Sequence, residues 1–164
     1  MAVRIAETHD AIIVGLVSDT HGLVRPGVFE ALRGVSQILH AGDVGGRGVL
    51  DELRAIAPVR AVYGNTDPAG PPLEARLTLR AGEVEILVTH GHELRGLTPD
   101  RLLSLYSGDV IVYGHTHRAL VHRAGTRLVV NPGAAGPRRF DVVPSVARLT
   151  IVRGRADVEI VELA

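Results

Sequence analysis

Residues 11–21 read Ala-Ile-Ile-Val-Gly-Leu-Val-Ser-Asp-Thr-His, an unbroken apolar run that stops at a polar cluster. Continuous β-branched and aliphatic residues are typical of a strand that is buried on both faces, as in a parallel sheet. The run therefore predicts a central strand over residues 11–17. The cluster Asp19-Thr20-His21 then lies in the loop that leaves the carboxyl end of this strand.

The same arrangement occurs four more times along the chain. Predicted strands over 37–41, 59–63, 83–89 and 110–113 are each followed by a polar cluster that contains glycine. These clusters are Gly42-Asp43, Gly64-Asn65-Thr66-Asp67, His90-Gly91-His92 and Gly114-His115-Thr116-His117. Ligands of open α/β sheets bind outside the carboxyl ends of the strands. We therefore expect the five clusters to converge on one site.

Helices are predicted between the strands. Residues 26–34 begin with a proline suited to a first helical turn, and residues 49–57 carry apolar side chains at helical spacing. A third helix is predicted over 98–106, with Thr98 as its N-cap. The order β-α-β-α-β over the first 63 residues is the pattern of a parallel sheet with helical crossovers.

The second half of the chain has a different character. Alternating segments predict a hairpin from 74–79 and 83–89, and shorter strands are predicted at 120–123, 127–130, 145–152 and 157–163. This half is therefore expected to be mainly antiparallel. The fold class that accommodates both halves is α/β (α+β), a four-layer αββα sandwich of two mixed β-sheets flanked by helices. No linker divides the sequence, so we expect residues 1–164 to form a single domain.

Composition excludes several classes of function. The chain has 18 basic and 18 acidic residues and a formal net charge of zero, so no overall field attracts it to nucleic acid or to a membrane. It has no cysteine, which excludes disulfides and thiolate metal sites. No segment approaches the roughly 20 apolar residues of a membrane span, and the first ten residues do not resemble a signal peptide. We therefore expect a cytoplasmic location.

The clusters supply the ligands of a dinuclear metal centre. Two divalent ions about 3.5–4 Å apart can clamp the attacking and leaving oxygens of a phosphoryl displacement and lower the pKa of a bridging water. Asp43 is the natural shared ligand, because Asp19 and His21 are close enough in sequence to share one ion. The mixed nitrogen and oxygen set argues against Ca²⁺. We expect Mn²⁺ first, and Fe²⁺, Ni²⁺, Co²⁺ or Zn²⁺ also fit.

Taken in order, the five clusters resemble the motifs of the calcineurin-like metallophosphoesterases. The short chain and the Gly-Asn-x-Asp variant are most similar to the small YfcE-type phosphodiesterases, and the resemblance extends from about residue 14 to residue 133. It implies that one metal is held by Asp19, His21, Asp43 and His117. It implies that the other metal is held by Asp43, Asn65, His90 and His115, the four residues that we also expect to be catalytic.

The resulting expectation is a dinuclear metal-dependent phosphoesterase that hydrolyses phosphodiester bonds of small substrates through a metal-bridging hydroxide. One alternative is a non-catalytic, metal-binding scaffold on the same fold, like the retromer subunit that resembles phosphoesterases. Another is a nuclease, against which the neutral charge and the absence of a basic run count. The family resemblance makes a homodimer or homotetramer compatible with this sequence.

Thr66 departs from the family pattern. Larger members carry Gly-Asn-His-Glu, in which the histidine is thought to assist the leaving group, and YfcE-type enzymes usually have cysteine at that position. This chain has Gly-Asn-Thr-Asp, so Thr66 offers no comparable acid. The resemblance therefore implies good hydrolysis of activated esters and poor hydrolysis of esters with alkoxide leaving groups.

Other polar residues have structural interpretations that compete with functional ones. His40 is expected to be a hydrogen-bonded core residue, and Asp67 either caps a turn or orients a ligand. His92 is either a substrate or supporting contact or an ordinary loop residue. Glycines 42, 64, 91 and 114 are expected to serve unusual turn geometry. Surface positions are expected for His9 and His122. Arg118, Arg138 and Arg139 could contact phosphate near the site, but a solvated face is favoured for each of them.

Overall fold

The computed structural model describes residues 11–139 and 141–164, and His9 lies outside this range. Its elements in chain order are β1 (Ile12–Val17), α1 (Pro26–Ala31), β2 (Gln37–His40), α2 (Arg47–Arg54), β3 (Val59–Ala61), β4 (Arg76–Ala81), β5 (Val84–Thr89), α3 (Pro99–Leu105), β6 (Val110–Val112), β7 (Leu120–Ala124), β8 (Arg127–Asn131), β9 (Ser145–Val152) and β10 (Arg155–Glu162). None of the helices described is long and apolar enough to cross a membrane.

The first sheet has the strand order β10-β9-β1-β2-β3. Strands β1, β2 and β3 are parallel neighbours, as the β-α-β-α-β pattern predicted. The later strands β9 and β10 complete the sheet on the other side of β1 through antiparallel pairing. The buried run at 11–17 is therefore the centre of this sheet, which explains why it lacks polar residues on either face.

The second sheet has the order β4-β5-β6-β8-β7. Its edge strands β4 and β7 pair antiparallel with their neighbours, in agreement with the predicted hairpins. At its centre β5, β6 and β8 run parallel to one another, so the sheet is mixed, as the fold class predicted. Helix α3 lies between β5 and β6 in sequence and provides the crossover that a parallel pair requires.

Three clusters of buried side chains separate four layers. Alternate residues of β1, Val14 and Leu16, point into the core between the sheets, where they meet residues such as Ile86 of β5. Helices α1 and α2 cover the outer face of the first sheet through residues that include Leu53, and α3 covers the second sheet through Leu102. The four-layer αββα sandwich is therefore confirmed.

The ends of several elements differ from the prediction. Helix α1 stops at Ala31 rather than 34, because the C-cap Leu32 leaves the helical conformation with φ of −106° and ψ of 18°; Gly34 follows with a left-handed φ of 85°. Regular pairing of β3 stops at Ala61 rather than 63. The backbone N–H of Tyr63 bonds instead to the carbonyl of Glu74, so the chain leaves β2 at this point.

Candidate metal centre

The loops that follow β1, β2, β3, β5 and β6 meet at one edge of the sandwich. They bring together all seven predicted ligands, which are Asp19, His21, Asp43, Asn65, His90, His115 and His117. These residues are separated by as many as 98 positions in the sequence. Their convergence follows from the shared direction of the parallel strands in each sheet.

Four of these residues form a compact first group, which consists of Asp19, His21, Asp43 and His117. One ligand atom from each lies within 4.8 Å of the other three. The Nε2 atoms of His21 and His117 are 3.4 Å apart, and His117 Nε2 is 3.3 Å from Asp19 Oδ1. Two carboxylates and two imidazoles that face one another in this way form a suitable set for a divalent transition metal.

The two oxygens of Asp19 have different surroundings. Oδ2 accepts hydrogen bonds from the hydroxyl of Ser18 at 2.6 Å and from the backbone N–H of His115 at 3.1 Å. Oδ1 is buried and has no hydrogen-bond partner among the described residues. A buried carboxylate oxygen without a partner is costly, and a bound cation would satisfy it. The first group therefore fits a metal ion.

A second group consists of Asn65, His90 and His115. Asn65 Oδ1 lies 3.1 Å from His90 Nε2 and 3.1 Å from His115 Nδ1. The other ring nitrogen of His90, Nδ1, donates a hydrogen bond to the carbonyl of Ala41 at 2.8 Å. That bond fixes the orientation of the ring and directs Nε2 toward the site, which is the usual arrangement behind a metal-binding histidine.

Asp43 lies between the two groups. Its Oδ1 accepts a hydrogen bond from the backbone N–H of Thr66 at 2.9 Å. Its Oδ2 is 3.6 Å from His21 Nε2 and 3.3 Å from His90 Nε2, so a single oxygen faces both groups. This is the position that a bridging ligand of two cations would occupy.

Burial, hydrogen bonds and neighbouring charges shift the pKa values of the titratable groups in the centre. Burial alone would raise the pKa of Asp43, but the hydrogen bonds to His90 and Thr66 outweigh it and hold the pKa below its usual value. Burial alone would lower the pKa of His90, but the nearby carboxylates of Asp43 and Asp19 outweigh it and raise the pKa. The pKa of His115 is lowered, first by burial and then by the charge of His90. The centre is therefore an environment that favours a positive charge between its carboxylates.

Five of the seven predicted ligands have left-handed backbone conformations. Their φ angles are 53° at Asp19, 45° at His21, 55° at Asp43, 74° at His115 and 65° at His117. Among the described residues that are not glycine, only Arg153 shares this property. Strained backbone geometry of this kind concentrates at functional sites, so its distribution supports a function for this edge.

Two glycines provide space beside the carboxylates. A Cβ atom at Gly64 would overlap Oδ1 of Asp43, and one at Gly114 would overlap the hydroxyl of Ser18 and lie 2.8 Å from Oδ2 of Asp19. Neither glycine has a positive φ, in contrast to Gly42 and Gly91. The expectation of unusual turn geometry is therefore confirmed for Gly42 and Gly91 and is wrong for the other two, where close approach of side chains requires the missing Cβ.

His40 is buried beneath the first group and is hydrogen-bonded, as predicted. Its Nδ1 accepts the backbone N–H of Gly42 at 3.1 Å, so Nε2 carries the proton and donates to the hydroxyl of Thr20 at 2.9 Å. The hydroxyl of Thr20 in turn donates to the carbonyl of Val44 at 2.7 Å. Burial lowers the pKa of His40 to about 4, so this chain of bonds is held by a neutral ring.

The structure also places the residues whose roles were left open. The ring of His92 lies 5.4 Å from that of His90, and its buried Nδ1 has no hydrogen-bond partner among the residues that the structure describes, so His92 belongs to the surroundings of the second group. The carboxylate of Asp67 bonds to backbone N–H groups rather than to a histidine. Surface positions are confirmed for His122, Arg118, Arg138 and Arg139.

Sequence reasoning missed Ser18 and Thr20 as supporting residues. Both are fully buried; Ser18 bonds to the predicted ligand Asp19, and Thr20 bonds to His40. The signal was available, because two hydroxyl residues flank Asp19 at the end of a strand whose other residues are apolar. Buried hydroxyls need partners, and at this edge those partners belong to the candidate centre.

A family model described as the calcineurin-like phosphoesterase superfamily domain matches residues 12–154. The chain is 35% identical over 162 residues to a probable metallophosphoesterase of Methanothermobacter thermautotrophicus, with 92% of each chain covered. It is 34% identical over 94 residues to the phosphodiesterase YfcE of Escherichia coli, which covers 52% of this chain and 50% of that one. This protein therefore belongs to the calcineurin-like phosphoesterase superfamily.

A solved structure shows the same fold. Wild-type Vps29 from Entamoeba histolytica, crystallised in complex with Zn²⁺, superimposes with a TM-score of 0.73 and is 26% identical. The alignment covers 92% of this chain and 99% of that one. The superfamily fold that the motifs implied is therefore confirmed by both kinds of comparison.

Proposed function

We propose that this protein is a dinuclear metal-dependent phosphodiesterase that acts on small substrates. The observation that carries the proposal is the position of Asp43 Oδ2, which faces His21 of the first group and His90 of the second at 3.6 and 3.3 Å. Membership of a phosphoesterase superfamily and the likeness to a named phosphodiesterase support the reaction class.

In this proposal each group holds one divalent cation. Asp19, His21 and His117 would hold the first ion, Asn65, His90 and His115 would hold the second, and Asp43 would contribute to both. Two cations held side by side by these ligands would polarise the phosphoryl group and lower the pKa of a bound water. Mn²⁺ is the first candidate, and Fe²⁺, Ni²⁺, Co²⁺ and Zn²⁺ suit the same ligands.

The side chains differ in their access to a substrate. His90 is almost completely buried, whereas Asn65 and His115 are exposed. A phosphodiester would therefore approach over the second group, where Asn65 and His115 meet solvent. His90 and Asp43 lie beneath them and hold the charge distribution of the centre, because both are fixed by bonds to backbone groups.

A non-catalytic scaffold is the second candidate, and the likeness to Vps29 favours it. Both candidates bind metal, so metal binding does not separate them. The complete set of seven ligands supports the enzyme. A nuclease acting on long nucleic acid is less well supported, because the net charge of the chain is zero.

Hydrolysis of bis(p-nitrophenyl) phosphate tests the proposal. Metal-stripped protein is assayed before and after addition of Mn²⁺, beside Asp43→Asn and the control Asp51→Asn, whose carboxylate is exposed on α2 and pairs with Arg54. We expect turnover that requires Mn²⁺, is lost in Asp43→Asn and is retained in Asp51→Asn. Folded protein that binds Mn²⁺ and turns over no ester with any of several divalent ions would favour the scaffold.

Partners and location form a further part of the proposal. A small phosphoester is the partner that the centre accommodates, and a homodimer or homotetramer in the cytoplasm is the setting that we propose. Analytical ultracentrifugation with and without Mn²⁺ measures the oligomeric state directly. A monomer at micromolar concentration under both conditions would contradict the oligomer.

A further inference from the structure

The carboxylate of Asp67 connects the loop after β2 to the loop after β3. Its Oδ2 accepts the backbone N–H groups of Val44 at 3.0 Å and Gly64 at 2.9 Å, and its Oδ1 accepts that of Gly45 at 3.1 Å. Val44 and Gly45 directly follow Asp43, and Gly64 directly precedes Asn65. One side chain therefore holds both loops within two residues of two metal ligands.

A bond in the opposite direction completes the connection. The backbone N–H of Thr66, the residue before Asp67, donates to Oδ1 of Asp43 at 2.9 Å. Each loop thus contributes an aspartate that binds the backbone of the other. Because Oδ1 of Asp43 is held by this bond, Oδ2 is the oxygen that remains to face His21 and His90.

We propose that Asp67 is a positioning residue that fixes the Asp43 carboxylate in its bridging orientation. The proposal rests on the dinuclear function proposed above. A turn cap alone does not describe this side chain, since two of its three donors belong to the other loop. Without Asp67 the turn at Thr66 loses its anchor, and the Asp43 carboxylate becomes free to rotate.

The side chain must be a carboxylate to play this part. Three N–H donors approach its two oxygens, and a carboxylate is an acceptor at both. An asparagine has one acceptor oxygen, and its NH₂ group would face at least one N–H donor of the loops. Asp67→Asn therefore keeps the size of the side chain and removes part of the connection, whereas Asp67→Ala removes all of it.

The first experiment measures backbone amide exchange by NMR in the metal-free protein. In Asp67→Asn we expect the amide of Thr66 to exchange about tenfold faster, the equivalent of losing one hydrogen bond, although Thr66 itself is unchanged. Asp51→Asn serves as the matched control, because Asp51 lies on α2 and its carboxylate pairs with the exposed Arg54. Wild-type exchange at Thr66 in a folded Asp67→Asn protein would overturn the proposal.

The second experiment measures metal binding by Mn²⁺ titration with electron paramagnetic resonance. Two Mn²⁺ ions that share a carboxylate give an exchange-coupled spectrum that single ions do not give. In Asp67→Asn we expect the affinity for the second ion to fall about 10- to 100-fold, the range for residues that support metal ligands, and the coupled signal to appear only at higher Mn²⁺.

The two experiments separate the two proposals. A wild-type protein that never shows the coupled spectrum would contradict the dinuclear function, and amide exchange would still decide whether Asp67 holds the loop against Asp43. A wild-type protein with the coupled spectrum, together with an Asp67→Asn variant that shows it at the same Mn²⁺ concentration, would overturn the role of Asp67 alone. If Asp67→Ala fails to fold, Asp67→Asn retains the shape needed for both measurements.

Discussion

The two ligand groups share Asp43 but are held in different ways. In the first group, Oδ1 of Asp19 and Nδ1 of His117 are buried and have no partners among the described residues. In the second group, Asn65 bonds to both of its histidines. A cation entering the first group satisfies an unpartnered oxygen, whereas one entering the second must replace existing hydrogen bonds. We therefore expect the first group to bind its ion more tightly.

The largest expected effect comes from Asp19→Asn. The amide oxygen of the variant would keep the bonds to Ser18 and to the backbone of His115, which leaves an NH₂ group directed at His117. An NH₂ group cannot bind a cation, so we expect the affinity for the tighter ion to fall at least about 100-fold and turnover to fall with it. Isothermal titration with Mn²⁺ measures the affinity, and a variant with unchanged tight binding would contradict the comparison.

A smaller effect is expected from Asn65→Ala, which affects the second group alone. The tighter ion should bind as in the wild type, while the weaker ion should lose about 10- to 100-fold in affinity. The same titration resolves both steps. Equal losses at both steps would show that the two groups form one cooperative unit instead of a tight and a weak site.

The buried His40 beneath the first group should make the free energy of unfolding depend on pH. The pKa of His40 falls from 6.5 in the unfolded chain to about 4 in the fold, so between these values the unfolded state binds more protons. Stability from this neutral ring is complete above pH 6.5 and is lost as the pH falls toward 4, a loss of about 3 kcal/mol.

Urea unfolding between pH 4 and 7 measures this effect. His40→Asn keeps an acceptor for the N–H of Gly42 and has no imidazole to titrate, so its free energy of unfolding should fall less steeply toward acid than that of the wild type. His122→Asn, at a half-exposed position on β7, is the matched control. Parallel pH profiles for His40→Asn and the wild type would contradict the prediction.

The smallest expected effect concerns Thr66, whose side chain is exposed beside Asn65. Thr66→His introduces an imidazole next to the more accessible group, where it can protonate a leaving alcohol. General acid catalysis contributes roughly 10²–10⁴-fold when the acid is well placed, so a few-fold rise in monoesterase activity is expected from an acid placed without supporting contacts. Rates with p-nitrophenyl phosphate, measured beside Thr66→Val, test this, and no increase would count against it.

Much of this architecture follows from the sequence, because buried strands have a simple signature. The run at 11–17 has no polar residue, and its position at the centre of a sheet explains why. Helix α3 was predicted from Thr98, whose hydroxyl accepts the N–H of Arg101 as an N-cap. Short-range signals of this kind identify elements well. They also placed the ligand loops at one edge, since parallel strands share a direction.

Other features depend on contacts between distant residues and were not predictable from local patterns. The parallel pairing of β6 with β8 is set by how the second sheet closes its core, and a short apolar run does not specify its neighbours. The three bonds of Asp67 involve N–H groups up to 23 positions away. The need for glycine at position 64 becomes visible only in the folded structure, where a Cβ atom would overlap Oδ1 of Asp43.

The left-handed ligand residues have an evolutionary consequence. Glycine and asparagine adopt positive φ at lower cost than most residues, and each strained residue costs on the order of 1 kcal/mol or more. Mutational drift at Asp19 or Asp43 toward glycine would therefore relieve backbone strain, and drift toward asparagine would keep the conformational tolerance that aspartate already has, while either change removes a carboxylate from the centre. Selection for stability alone would erode this centre and leave an intact sandwich, a short path by which a lineage of phosphoesterases could give rise to a binding protein.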